Sequence, residues 1–341
     1  MNTLSGVTIT GVGHHLPESA EDNVALCANL EVSPEWIIEK TGIQRRYIAH
    51  KDESASEYAV KSALRAIKMA GILPEEVDLI IACTFSADYI FPPLSAKVQM
   101  EIGAINAQIF DLQANCTGFL TGLTVASDRM KVDSTVRNAL VIGVEFLSRY
   151  IDRADVNTAI YLSDGAGAAV LSRADSEAGI LSSAFHTDSS NYEAVRMRGG
   201  GSSFPIKGRS FDAEIDLMQM NGIATWKQAI THLPKTIRRA CEKSKVDLQS
   251  VDFFLFHQAN LRLIEYLVRK LGFDMTKTYT NVQEIGNTGA ASLAIAMSEA
   301  VERGLLKHGD LVVLGAVGAG FNFGASVWRW GMSKALEQIN V

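Results

Sequence analysis

The chain repeats itself, and this constrains its fold more than any other feature. VDLIIACT, from Val77, has a counterpart in VDFFLFHQ, from Val251, 174 residues further on. ALVIGVEF, from Ala139, is matched by DLVVLGAV, from Asp310, 171 residues on. DGAGAAVL near Asp164 resembles GAGFNFGASV near Gly318 once a short insertion is allowed. Three pairs in the same order at nearly equal offsets imply a tandem duplication. The expected division is an N-terminal half, 1–173, and a C-terminal half, 174–341.

Each copy alternates apolar runs with amphipathic stretches such as ASEYAVKSALRAIKMAG and GIATWKQAITHLPKTIRRACEK. Runs apolar on both faces suit buried strands, and the longer stretches suit helices that cover them. An α/β fold follows, most economically two sheets sandwiching helices. With 341 residues, 47% hydrophobic and 21% charged, the chain can bury a large core, and disorder is excluded. No apolar run reaches the roughly 18 residues of a membrane span, and MNTLSGVTITGVG lacks the regions of a signal peptide. A cytoplasmic protein without membrane contact is expected. The net charge of −6 argues against nucleic-acid binding, although a local basic patch can still hold an acidic partner. Cys27, Cys83, Cys116 and Cys241 show no CxxC spacing, so neither disulfides nor a metal site is expected. From Thr187 to Asp216 the pattern is broken by RMRGGGSSFPIKGRS, which reads either as a mobile loop at an entrance or as an ordinary solvated loop.

Cys116 stands between a strand-like NAQIFDLQ and a helical TGFLTGLTVASDRMK with Phe119, Leu120, Leu123 and Ala126 at helical spacing. A buried cysteine often only fills space. At a strand-to-helix junction, however, unpaired N–H groups and the helix dipole lower a thiol pKa and offer donors to a negative oxygen. His257 follows the apolar FFLF and precedes a helix with Leu261, Ile264 and Leu271, the same kind of junction. Asn287 lies between glycines in QEIGNTGAAS, where it can cap a helix or face a pocket. In GAVGAGFNFG, Gly318 and Gly320 allow either close packing or a turn that aims N–H groups inward.

Together NCTGF, HQANLR, GNTGAAS and GAGFNFG resemble the Cys-His-Asn signature of the β-ketoacyl-acyl-carrier-protein synthase III family, in the thiolase superfamily. The resemblance covers nearly the whole chain and includes EWIIEKTGIQRRYIA near Trp36 and SDGAGAAVL near Asp164. It implies a thiolase-like five-layered αβαβα sandwich, a homodimer, and decarboxylative Claisen condensation in fatty-acid or related secondary-metabolite biosynthesis. No cofactor is implied beyond the acyl-coenzyme A or acyl-carrier-protein thioesters used as substrates. On this resemblance Cys116 accepts the acyl group, and His257 and Asn287 stabilise the enolate formed from malonyl-carrier protein. The N–H groups of Cys116 and Ala319 would form the oxyanion hole. Trp36 matches the residue that stacks on the coenzyme A adenine, and Phe91 the residue that crosses to the partner's acyl pocket. Lys227, Arg262, Arg269 and Lys270 match basic positions that face the acidic carrier protein.

Four positions depart from the family pattern. Val156 replaces the arginine opposite the adenine, Ile223 an asparagine beside pantetheine, Val317 an aromatic residue and Ala319 a glycine. These leave condensation intact and the acyl donor open. Among the alternatives, a thiolase would need a second catalytic cysteine, and a plant-type polyketide synthase would lack HQANLR. A non-decarboxylating acyltransferase would tend to lose Asn287. A condensing enzyme of polyketide, alkylquinolone or resorcinol type with a non-acetyl donor fits the same residues. A non-enzymatic interaction protein would give no reason for four pocket elements at strand ends.

Overall fold

The computed structural model describes residues 6–174 and 177–332. A five-stranded sheet holds β1 (Gly6–His15), β2 (Leu79–Cys83), β3 (Gln108–Leu112), β4 (Asn138–Phe146) and β5 (Asp164–Ala174), in the spatial order β1-β5-β4-β2-β3. A four-stranded sheet holds β6 (Gly179–Thr187), β7 (Phe253–Phe256), β8 (Leu311–Gly318) and β9 (Asn322–Arg329), in the order β7-β8-β9-β6. In the first sheet β2 runs parallel to β3 and β4, and the remaining pairs are antiparallel. The second repeats this, with β7 parallel to β8 and the others antiparallel. Hence β1, β2, β4 and β5 correspond to β6, β7, β8 and β9. Opposite β3, the described residues of the second half keep only a parallel bridge between Phe254 and Thr278.

The register corrects one detail of the sequence match. Leu79 faces Ala139 and Phe253 faces Val312, so the counterpart of Ala139 is Val312 rather than Asp310. A slip of two residues keeps every side chain on its own face of the sheet, which is why the apolar pattern did not reveal it.

Seven helices position the layers and the site: α1 (Pro34–Thr41), α2 (Ala55–Ala70), α3 (Leu94–Ile102), α4 (Gly118–Val132), α5 (Gly222–Ser244), α6 (Leu261–Leu271) and α7 (Ser292–Glu302). Strand side chains alternate between faces. Leu79, Ile81 and Cys83 join Leu123 of α4 and Met297 of α7 in one central core, together with Phe253 and Leu255 of the second sheet. Ile80 and Ala82 point the other way, under Ala63 of α2 and Val98 of α3. Phe254 and Phe256 likewise point outward, under Ile237 of α5 and Leu267 of α6. The result is outer helices, sheet, α4 with α7, sheet, outer helices: the expected αβαβα sandwich. Truncating Ile81, with no exposed surface, to alanine should cost about 2–5 kcal/mol.

The central layer sits close against the sheets because the strands carry glycine beneath it. A Cβ at Gly143 of β4 would lie 2.4 Å from the carbonyl oxygen of Ala290, so only glycine lets the turn before α7 cross there. Between Thr187 and Asp216, the expected loop is rooted by structure. A 3-10 turn, Ser189–Ala194, leads to Val195–Arg196, which pairs antiparallel with Gln219–Met220. Arg209 donates to Asp216 at 2.6 Å and fastens the loop to itself. Among the described residues, no helix is long and apolar enough to cross a membrane.

Candidate active site

After β3 the chain turns at Asn115, whose φ is +50°, and passes through a 3-10 turn, Asn115–Thr117, directly into α4. Cys116 therefore stands at the helix entrance. The end of β8 comes up against it: a Cβ on Gly318 would lie 3.1 Å from the Cys116 nitrogen and 3.0 Å from that of Thr117. A side chain there would press on both nitrogens, and the close approach brings the second sheet to the Cys116 turn. Cys116 is half-buried. Burial pushes its thiol up to about 12, Glu145 adds to the rise, and its own backbone N–H opposes it. The expectation of a lowered thiol pKa is thus corrected: desolvation disfavours the charged thiolate by more than the helix entrance favours it. Glu145 is itself pushed up to about 8 by burial, against hydrogen bonds led by the one from Ser86 at 2.5 Å. Mostly neutral at pH 7, Glu145 places little charge beside the sulfur.

His257 extends the pairing of β7, its N–H donating to Gly315 O at 2.8 Å. Its Nδ1 lies 2.5 Å from Ser292 Oγ, which in turn accepts the Gln258 N–H at 3.2 Å. A serine that donates to Nδ1 here leaves the ring proton on Nε2. Burial lowers the imidazole pKa to about 4, so it is neutral at pH 7 and acts as a donor without carrying charge. Sequence reasoning missed Ser292. It reads as an ordinary residue opening a helix, and only the fold brings it to His257.

The rest of HQANLR also makes structural contacts. Gln258 accepts from Asn281 N at 3.1 Å and donates to Phe256 O at 2.8 Å. Asn260 caps α6 by accepting from Arg262 N at 2.7 Å. The Arg262 guanidinium reaches the end of α1, donating to Glu39 O at 2.9 Å and Ile38 O at 3.1 Å, and also pairs with Glu265.

Asn287 is held by its backbone between Tyr161 and Ser163: its N–H donates to Tyr161 O at 2.8 Å and its carbonyl accepts from Ser163 N at 2.9 Å. Its Oδ1 accepts from Gly289 N at 2.9 Å, which leaves Nδ2 as the available donor.

Cys116, His257, Asn287, Val317 and Ala319 all line one cavity of about 360 Å³. Its wall is largely apolar, with Tyr161, Met197, Met218, Met220 and Trp226, and Arg196 stands among them. Gly318 lines it too, whereas the other predicted binding and docking residues lie outside this lining. Trp36 and Val156 pack in one apolar cluster with Phe85 and Met218, which do reach the cavity. Ile223 is exposed, and shares a shallow polar pocket with Lys227 and His232. Arg269 and Lys270 are exposed at the end of α6. Phe91 is 83% exposed.

A duplicated αβαβα sandwich with a cysteine, a histidine and an asparagine on one deep apolar cavity defines a thiolase-fold acyltransferase. Comparisons with known proteins narrow the class. The family described as 3-oxoacyl-[acyl-carrier-protein (ACP)] synthase III matches residues 110–189, and its C-terminal counterpart matches residues 241–330. A β-ketoacyl-[acyl-carrier-protein] synthase III of Clostridioides difficile is 38% identical over 330 residues, covering 97% of this chain and 99% of its own. One from Erythrobacter litoralis is 38% identical over 325 residues, covering 94% and 98%. Among solved structures, the 3-oxoacyl-[acyl-carrier-protein] synthase III of Aquifex aeolicus superposes with a TM-score of 0.88 at 34% identity, covering 95% of this chain and all of that one. The priming β-ketosynthase of the R1128 polyketide pathway superposes with a TM-score of 0.90 at 30% identity, covering 96% and 97%. The chain belongs to the β-ketoacyl-acyl-carrier-protein synthase III family of condensing enzymes.

Proposed function

We propose that the protein loads an acyl group from a thioester onto Cys116 and extends it with a malonyl unit carried by acyl carrier protein. The observation that carries this reading is the convergence of Cys116, a neutral His257 and the Asn287 amide on one apolar cavity. In the first step Sγ bonds to the thioester carbon, the bond to the donor sulfur breaks, and the thiol proton leaves on the departing thiol. The oxyanion formed on the way is held by the N–H groups of Cys116 and Ala319. In the second step malonyl thioester loses CO₂, and its enolate oxygen is held by His257 Nε2–H and Asn287 Nδ2–H. The enolate carbon attacks the acyl carbonyl, the bond to Sγ breaks, and the released thiolate takes one proton from solution. Both steps build negative charge on oxygen, so fixed neutral donors serve both and no carboxylate base is needed.

The donor we favour is an acyl carrier protein. Val156 offers no guanidinium beside Trp36, and Ile223 offers no hydrogen bond to pantetheine, whereas Lys227, Arg269 and Lys270 present exposed charge to an acidic surface. Arg262 contributes to that docking face while bracing α1. A homodimer in which Phe91 closes the partner's acyl pocket, working in the cytoplasm in fatty-acid or related biosynthesis, completes the reading. Intact-protein mass spectrometry after incubation with matched acyl-coenzyme A and acyl-carrier-protein thioesters tests it. One acyl group on Cys116 supports the reading; an unmodified protein across the panel contradicts it.

A further inference from the structure

We propose that Asn115 is a positioning residue that holds the two N–H groups of the oxyanion hole in register. This rests on the reading of Cys116 N–H and Ala319 N–H as that hole. Asn115 is a non-glycine residue in the left-handed region, with φ +50°. Glycine enters this region freely, and asparagine tolerates it better than most residues. The duplication shows what the fold alone asks for here. In the second half the equivalent 3-10 turn, Gly289–Ala291, leads into α7 as Asn115–Thr117 leads into α4, and it too opens on a left-handed residue, Gly289 at φ +55°. Glycine thus satisfies the turn, and the first half carries a side chain that the turn does not require.

That side chain is engaged. Asn115 Nδ2 donates to the carbonyl of Ala319 at 3.1 Å, across 204 residues of sequence. The bond fixes Ala319, whose N–H is one donor of the hole. The turn at Asn115 directs the next peptide, whose N–H belongs to Cys116, the other donor. One residue therefore sets both donors, one through its backbone and one through its amide. The neighbouring strands fit this arrangement. Beside Gly289 the space is occupied by Glu145 of β4, whose Cγ would lie 2.9 Å from a Cβ on that glycine. Beside Asn115 the corresponding strand, β8, ends in Gly318, and Ala319 follows it to accept the amide. The bulk has moved from the strand to the turn, and with it a polar group that reaches the site.

The test compares acyl transfer, which builds an oxyanion, with alkylation by iodoacetamide, which does not. Both are followed on Cys116 by intact mass in single-turnover experiments, with acetyl, butyryl and octanoyl thioesters of coenzyme A and of acyl carrier protein as acyl probes. Asn115→Gly keeps the left-handed turn and removes the amide; Asn115→Ala removes the amide and strains the turn. Both variants should lose acyl transfer by about 10-fold or more, the scale of a small misplacement of catalytic groups, with alkylation changed by no more than about 2-fold. Wild-type acyl transfer in Asn115→Gly would show that only the turn matters and would overturn the proposal. Parallel loss of both reactions would overturn it too, by showing a general collapse of the thiol site. If wild-type protein takes no acyl group from any probe, the reading of the site falls and the positioning role with it. If wild type is acylated and Asn115→Gly equals it, the positioning role alone falls.

Discussion

The two halves place the same scaffold around different chemistry. In the first, β2 ends at buried Cys83, and the turn before α4 carries Cys116. In the second, the residue matching Cys83 is His257, and the one matching Cys116 is Ala290, each 174 residues further on. This also corrects the expectation that Cys116 and His257 occupy like junctions. Cys116 follows β3, whereas His257 follows β7, the counterpart of β2. A duplicated fold presents two sets of strand ends to one central layer, and on the proposed reading the first half supplies the nucleophile and the second the neutral donors. Cys116 and His257 line the same cavity, so on that reading neither half holds a complete site.

This division of labour can be broken from the first half most drastically. Cys116→Ala should abolish acyl-enzyme formation, whereas Cys27→Ala, Cys83→Ala and Cys241→Ala should each retain it; a labelled thioester that still attaches to Cys116→Ala would remove the nucleophile from the account. The next largest effect concerns the donor. Without the cation–π and hydrogen-bond contacts replaced by Val156 and Ile223, coenzyme A thioesters should bind about 10- to 100-fold less tightly than to a relative that keeps both. Matched octanoyl donors should therefore acylate Cys116 faster from carrier protein than from coenzyme A, with the advantage shrinking as salt screens the basic face. Equal rates at low salt would contradict this.

Thiol titration sharpens the contrast between a desolvated nucleophile and its partners. With the Cys116 thiol at about 12, its alkylation by iodoacetamide should rise about tenfold per pH unit from pH 7 to 10. A plateau near pH 8 would show that the helix entrance outweighs burial after all. The smallest effect lies at Glu145, at about 8 in the fold against about 4.3 for an unfolded glutamate. Between those values the unfolded chain has released a proton that the folded chain keeps, so stability falls as pH rises through this window. Glu145→Gln has no such proton, and its melting temperature should fall less than that of wild type between pH 5 and 8, by a few °C. Parallel pH profiles would contradict the buried neutral carboxyl.

Much of this was legible in the chain because duplication, strand alternation and the four motifs are local patterns. Cys116, His257, Asn287 and the glycine turn each sit at a strand end or turn that local signals mark. Ser292 and Asn115 were not legible as site residues. Their contacts span 35 and 204 residues, and nothing in GNTGAAS or NCTGF distinguishes a helix-opening serine or a turn asparagine from one that orients a catalytic group. The rise of the Cys116 pKa was hidden for a related reason: the helix entrance is local, whereas desolvation depends on how the whole cavity closes over the sulfur. The two-residue register slip escaped notice because it conserves which residues face inward.

The central claim is that the two halves divide the reaction, and separating the half-reactions in His257→Ala and Asn287→Ala tests it most directly. Acylation of Cys116 is followed by intact mass, and release of labelled CO₂ from malonyl-carrier protein is followed alongside it. The account predicts that both variants still take the acyl group, while CO₂ release falls by about 10²-fold or more, as for loss of an oxyanion-type donor. Undiminished CO₂ release, or acylation lost together with decarboxylation, would contradict it.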